Sequence, residues 1–126
     1  MSGTSPPGAE SLARGLRAFR DGRFFEAHEE WEAVWLGSSG AERRHLQGLI
    51  QVAAACVHLG KGRRDPAVRL LALAAGKLAD APHDLRGLPA RELAERARLL
   101  GERLEESAAL PDAREAFSPG GLRGTG

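Results

Sequence analysis

Apolar residues recur at helical spacing along this chain, and the period-two alternation typical of a half-buried strand is absent. Leu12, Leu16 and Phe19, for example, fall on one face of a predicted helix that ends before Gly22. Glycines and prolines divide the pattern into segments. The pattern predicts helices over residues 9–20, 23–36, 39–60, 65–79 and 89–109.

Two of the predicted helices begin with residues that favour capping. Ser39 and Glu42 have the spacing of a capping box. Asp65 and Pro66 fit the N-cap and the first helical position. Because the loops between the first helices are short, neighbouring helices should be antiparallel. We therefore expect an all-α fold, a compact bundle of about five helices with tetratricopeptide-like antiparallel hairpins.

The sequence divides into one helical domain and two terminal segments. A length of 126 residues suits a single domain. Residues 1–8 are rich in Ser, Gly and Pro and are expected to form a disordered lead. The helical domain is predicted to span residues 9–110, and residues 111–126 are expected to form a largely disordered tail.

The predicted second helix places an aromatic wall on one face. At about 100° per residue, His28 falls in the middle of this wall, Glu32 falls inside it and Glu29 lies at its edge. Glu26 and Glu30 point away and are expected to be solvated. His28 and Glu32, one turn apart, should therefore share the buried side. The wall consists of Phe24, Phe25, Trp31 and Trp35.

The predicted third helix carries a narrow polar stripe on an otherwise apolar surface. Gln47, Gln51 and His58 fall within about 40° of one another on its helical wheel. An unpaired buried polar group costs about 1–3 kcal/mol, so this stripe should have partners. The natural partners are His28 and Glu32 on the adjacent helix. The predicted polar cluster consists of His28, Glu29, Glu32, Gln47, Gln51 and His58.

Two interpretations of this cluster stay open. In the first, Glu32 accepts a hydrogen bond from a histidine and the glutamines satisfy the remaining groups, so that a closed network fixes the helix register. In the second, the cluster lines a small pocket where His28, Glu29 or Glu32, and His58 act as metal ligands or acid–base groups. A divalent metal, if bound, would be held by His28, Glu32 and His58. No other cofactor is predicted.

Known metal and catalytic motifs are incomplete in this sequence. The segment after His28 lacks the second histidine of the zinc-protease motif. Glu42 and His45 have the Glu-x-x-His spacing of di-iron bundles, but no second copy of that motif exists. His45 is therefore predicted to lie on the surface. No glycine-rich phosphate loop follows a strand, and no serine-centred nucleophile elbow is visible.

Charge and composition narrow the classes of partner. The 18 basic and 17 acidic residues give a net charge of +1, so no general attraction to nucleic acid or to an anionic membrane is expected. The longest apolar run, residues 49–59, is too short to span a bilayer, and residues 1–10 lack the features of a signal peptide. The single cysteine, Cys56, requires no oxidising compartment. A cytoplasmic protein is expected.

Two motifs occur around the predicted polar cluster. The first is Phe25-Glu26-Ala27-His28-Glu29 followed by Trp31, Glu32 and Trp35, and the second is Gln47-Gly48-Leu49-Ile50-Gln51 followed by Ala53, Ala54 and His58. Together they resemble the domain-of-unknown-function family numbered 309, over residues 10–80 approximately. The resemblance implies a small bacterial or archaeal protein with an all-helical fold, and the family has no agreed biochemical activity. The residues that match its pattern are His28, Glu29, Trp31, Glu32, Trp35, Gln51 and His58.

Two functional hypotheses from different classes follow. The first is a non-catalytic binding or self-association domain, because aromatic and apolar residues are concentrated on the predicted second and third helices and no catalytic motif is complete. The second is a small metal-dependent or acid–base enzyme, of hydrolase type, that uses the same cluster. A homo-oligomer is expected, since small helical domains often need extra burial for stability. The sequence does not identify a small-molecule ligand.

Overall fold

The chain folds into six α-helices across residues 8–117, the part that the structure, a computed structural model, describes. Among these residues there is no strand, and none of the helices is long and apolar enough to cross a membrane. The predicted all-α fold is confirmed. The helices are α1 (Ala9–Arg20), α2 (Phe24–Trp35), α3 (Gly40–Gly60), α4 (Arg64–Lys77), α5 (Ala90–Glu106) and α6 (Ala113–Ala116).

Helix α3 lies at the centre of the bundle. It packs against α2 and α4, and it also contacts α5 and α6. Helix α1 packs on α2, and α5 packs on α4. The short turns that join α1 to α2, α2 to α3 and α3 to α4 make these pairs antiparallel hairpins. The apolar side chains of α3, from Leu46 to Leu59, are therefore buried on most sides of the helix.

The first hairpin is held by a buried tryptophan. Trp31 of α2 is fully buried, and its indole Nε1 donates a hydrogen bond to the carbonyl of Leu12 on α1, at 3.2 Å. Gly15 makes this approach possible, because a Cβ at that position would lie 2.3 Å from the same Nε1. Phe19 packs on Trp31 with ring centroids 5.5 Å apart. These contacts fix α2 to α1 through one face of α2.

Helix starts differ from the predicted capping in two places. Ser39 is the N-cap of α3, but its side chain makes no capping hydrogen bond. Glu42, the other half of the predicted capping box, instead lies 3.6 Å from Arg86 in an ion pair. Helix α4 begins at Arg64, one residue before the predicted cap Asp65, and its N-cap side chain also makes no hydrogen bond. Apolar packing therefore determines these starts more than side-chain capping does.

The predicted tail begins with an ordered segment. Residues 111–117 were expected to be largely disordered, but α6 lies there and Phe117 is buried. The Phe117 ring packs on Phe19 with centroids 4.7 Å apart. Asp112 caps α6, since its side chain accepts a hydrogen bond from the Arg114 backbone. The remaining predicted disorder, residues 1–7 and 118–126, lies outside the described residues.

His45 is buried, which corrects the prediction that it lies on the surface. It is 6% exposed, and its Nε2 donates to Oδ1 of Asp80 at 2.8 Å. Arg44 binds the same carboxylate at 2.7 Å. These two partners lower the pKa of Asp80 from 3.8 to about 2. The fold brings Asp80, which follows α4, onto the start of α3, a contact that local sequence spacing does not reveal.

Candidate functional site on helices α2 and α3

Helix α2 turns only part of its aromatic wall toward the core. Phe24 and Trp31 are buried and Trp35 is half-buried, whereas Phe25 is 59% exposed. The prediction of a buried wall is therefore wrong for Phe25. The reason is that α1 packs on the Trp31 side of α2, so the buried face is centred on Trp31 and Ala27. Phe25 lies well away from that centre.

The same rotation separates the polar residues of α2. His28 is half-buried, whereas Glu29 and Glu32 are both exposed. The prediction that Glu32 shares the buried side with His28 is therefore wrong. The His28 ring lies parallel to Phe25, with 4° between the ring planes and centroids 6.2 Å apart. His28 thus sits at the boundary between the core and the exposed side of α2.

The polar stripe of α3 lies on the least covered side of that helix. Gln47, Gln51 and His58 are all half-buried. They span three turns, about 16 Å along the axis. Beside the stripe, α4 packs closely, since a Cβ on Gly48 would lie 2.7 Å from Cγ of Leu78. The predicted alignment of the three polar residues on one side of α3 agrees with this placement.

Trp35 and Arg43 join α2 to α3 at the turn between them. The Arg43 guanidinium lies over the Trp35 ring, 3.9 Å from its centroid. The same guanidinium donates to the Trp35 carbonyl at 3.0 Å and to the Ser38 carbonyl at 3.2 Å. Arg43 therefore holds Trp35 beside the start of the α3 stripe. We call the surface that these helices share the α2–α3 face, made of Phe25, His28, Glu32, Trp35, Gln47, Gln51 and His58.

Four polar atoms on the α2–α3 face are buried without a hydrogen-bond partner among the described residues. These atoms are Nδ1 of His28, Nε1 of Trp35, Oε1 of Gln51 and Nδ1 of His58. Each such atom costs about 1–3 kcal/mol. The expectation of a closed hydrogen-bond network is therefore wrong at these atoms. Buried polar atoms without partners are uncommon in folded proteins, so their concentration on two neighbouring helices makes the α2–α3 face the candidate functional site.

The exposed carboxylates beside this face have no cationic partner within residues 8–117. Glu29 and Glu32 form no ion pair there. In contrast, Glu26 binds Arg23 at 2.7 Å and Glu30 binds Arg14 at 3.0 Å on the side of α2 that faces α1. The negative charge of Glu29 and Glu32 is therefore available to a bound molecule.

The region that contains this face also matches a known family. Residues 12–70 match the family model described as "Domain of unknown function (DUF309)". This match confirms the predicted family. The matched segment runs from α1 into α4 and includes every residue of the α2–α3 face. No curated protein and no solved structure matches the chain significantly.

The three ligands proposed for a metal are not brought together in the DUF309 segment. Within the described part of the chain, no three His, Cys, Asp or Glu side chains lie close enough to hold a metal ion. Glu32 is exposed, while His28 and His58 are half-buried on different helices. Cys56 is no alternative ligand or nucleophile, because burial raises the pKa of its thiol far above the usual range.

Sequence reasoning predicted Trp35 but not the role of its indole N–H, and it missed Arg43, which holds Trp35 in place. Trp35 was assigned only to the aromatic wall, although its indole Nε1 is one of the buried atoms without a partner. Arg43 was not singled out, because its role depends on the turn that folds it back over Trp35. A signal for Trp35 exists in the sequence, since a buried tryptophan usually requires an acceptor for its N–H.

Proposed function

We propose that this chain is a non-catalytic binding module that holds its partner on the α2–α3 face. The observation that supports this proposal is the group of buried polar atoms without partners on His28, Trp35, Gln51 and His58. A bound molecule that supplied matching donors and acceptors would recover part of their cost, about 1–3 kcal/mol for each atom. The four atoms themselves are covered in the free chain, but the side chains that carry them are half-buried, so we infer that these side chains turn toward the partner when it binds.

The exposed residues around these atoms also favour binding. Phe25 at 59% and Leu36 at 69% exposure place large apolar side chains on the outer side of α2. Apolar side chains that surround a few polar groups are typical of protein interaction surfaces. The alternative is a metal-dependent or acid–base enzyme; its metal-dependent form requires three converging ligands, and the described residues gather no such set.

The substitution Gln51→Met tests whether these polar atoms serve a partner or the fold. Methionine keeps the approximate size of the side chain and removes the buried oxygen, so we expect the free energy of unfolding to stay within about 0.5 kcal/mol or to rise. Urea unfolding of the purified protein measures it. Leu49→Ala is the control, because Leu49 is fully buried and its truncation should cost about 2–5 kcal/mol.

A loss of stability in Gln51→Met comparable to that of Leu49→Ala would contradict the proposal, because Gln51 would then serve the fold. Metal content provides a second criterion. Protein purified without metal-affinity resin is expected to contain no stoichiometric Zn, Mn or Fe. A stoichiometric metal that is lost in both His28→Ala and His58→Ala would favour the enzyme alternative instead.

A further inference from the structure

The polar stripe of α3 lies between two ridges of opposite charge. The acidic ridge is the exposed side of α2, with Phe25, Glu29 and Glu32. The basic ridge is on α4, where Arg69, Leu73 and Lys77 recur every fourth residue and so share one side of the helix. Phe25 and Leu73 are 59% and 52% exposed. Each ridge thus combines a large apolar side chain with two charges of a single sign, and the exposed acid Asp65 lies one turn before Arg69 at the N-terminal end of the basic ridge.

The basic ridge borders the α3 stripe and not the opposite side of α4. A Cβ on Gly48 would lie 3.2 Å from Cβ of Lys77, which places Lys77 directly beside α3. Helix α5 covers another side of α4, where Ala75 and Ala79 line a cleft together with α5 residues. Leu73 and Arg69 lie on the Lys77 side of α4, away from this cleft.

None of the four charged residues on the ridges has an ion-pair partner among residues 8–117. This holds for Glu29 and Glu32 on α2 and for Arg69 and Lys77 on α4. Most exposed charges elsewhere on α1, α2 and α5, such as Arg14 and Arg98, do have partners. The two ridges are therefore charge-complementary to each other, but α3 separates them within one molecule.

The ridges overlap in height along α3, with Phe25 level with Leu73 and Glu29 level with Lys77, whereas Glu32 and Arg69 lie at opposite ends. Helices α2 and α4 both run antiparallel to α3, so they run parallel to each other. The contact of Trp35 with Arg43 sets the level of α2, and the contact of Gly48 with Lys77 sets the level of α4. From these levels, Phe25 and Leu73 lie at about the same height, because each residue advances both helices equally.

We propose that a second copy of this chain binds this face about a two-fold axis parallel to α3. The acidic ridge of each copy then lies on the basic ridge of the other, and Phe25 of one copy meets Leu73 of its partner. A two-fold axis that lies in the plane of the interface but runs perpendicular to α3 would instead place the acidic ridge of one copy on the acidic ridge of the other. Charge complementarity thus selects one of the two face-to-face arrangements.

The same arrangement brings the two α3 stripes together. Gln47, Gln51 and His58 of one copy then face the same residues of the other. A glutamine amide both donates and accepts, and a neutral histidine ring does the same, so such side chains can pair with their own kind across a two-fold axis. This inference rests on the proposed function, since it names the partner that would satisfy the buried polar atoms.

Charge reversal of each ridge, followed by mixing, tests the pairing. One variant carries Glu29→Lys and Glu32→Lys, and the other carries Arg69→Glu and Lys77→Glu. Sedimentation equilibrium should show a dimer for the wild-type chain at about 100 μM, and each variant alone should dissociate at least about tenfold more readily. An equimolar mixture of the two variants should regain the dimer, because both ridge contacts become attractive again.

The double variant Glu105→Lys and Glu106→Lys on α5 is the matched control for the first variant. It makes the same change in net charge at exposed positions away from the face, and we expect it to dimerise like the wild-type chain. A wild-type chain that stays monomeric at about 100 μM would overturn the second copy as partner. A dimer that persists in both charge-reversal variants would also overturn the second copy as partner. The same holds for variants that fail to form a dimer when they are mixed. The proposed function would survive these results if Gln51→Met remained stable, so the two failures are distinguishable.

Discussion

At the scale of single residues, the position of α2 depends on how closely α1 can approach it. Trp31 fills the space that Gly15 leaves empty, and its N–H finds an acceptor on the backbone of α1. This contact rotates the aromatic face of α2 toward α1. Phe25 and Glu32 are therefore exposed, and His28 and Trp35 are left at the border of the core. One glycine thus has a direct influence on the composition of the candidate site.

The substitution Gly15→Ala is expected to destabilise the fold by about 1–3 kcal/mol, since the new methyl group overlaps a buried indole. Its Cβ would lie 2.3 Å from Nε1 and 2.5 Å from Cδ1 of Trp31, and the indole is held by its hydrogen bond to Leu12. Urea unfolding measures the change. Gly101→Ala in α5 is the control, because nothing lies within 4 Å of that Cβ. It should stabilise the protein by about 0.5–1 kcal/mol. Equal effects of the two substitutions would refute this account.

At the scale of secondary-structure elements, the first five helices follow the sequence pattern closely, whereas α6 does not. The apolar spacing of α1 and α5 is long enough to predict a helix by itself. Helix α6 has only four residues, Ala113–Ala116, which is too short for any periodicity to be recognised. Its position depends on Phe117, which packs against Phe19 at the end of α1. Contacts across the chain therefore determine this element.

The substitution Phe117→Ala should lower the free energy of unfolding by about 3–5 kcal/mol, because a buried aromatic ring is lost. Phe117 is 5% exposed and packs edge-on against Phe19. Leu110→Ala is a suitable comparison, since Leu110 is 36% exposed and should cost much less. Thermal and urea unfolding distinguish the two. If Phe117→Ala behaved like Leu110→Ala, residues 111–117 would contribute nothing to the fold.

At the scale of the whole molecule, ionic contacts distant in sequence hold the helices in register. Asp80 follows α4 and receives hydrogen bonds from His45 and Arg44 at the start of α3. The pKa of Asp80 is lowered from 3.8 to about 2 by these partners, His45 first. A carboxylate whose folded pKa is depressed stabilises the folded state above its unfolded pKa, and this contribution is lost as the pH falls through the folded pKa.

The effect of Asp80→Asn on stability should therefore depend on pH. Above about pH 4 the variant should be less stable than the wild-type protein, and between about pH 4 and pH 2 the difference should shrink, because the wild-type carboxylate becomes protonated. Urea unfolding of both proteins at a series of pH values measures this difference. Asp84→Asn is the control, since it removes another exposed carboxylate that is not bound to His45. A difference that stays constant from pH 6 to pH 2 would contradict the role assigned to Asp80.

The sequence by itself determined the helical class, five of the six helices that lie within residues 8–117, the resemblance to the DUF309 family over residues 12–70, and the polar stripe of Gln47, Gln51 and His58 on α3. These features follow from local periodicity and from short motifs, because each of them depends on residues that are close together in the sequence. Only the tertiary structure decided which way α2 faces, that His45 is buried against Asp80, and that Phe117, directly after α6, packs on Phe19. The physical reason is that a helical wheel shows which residues share a side of a helix, whereas packing against the neighbouring helices determines which side is buried. For α2, the close packing of Trp31 against Gly15 of α1 determines the buried side.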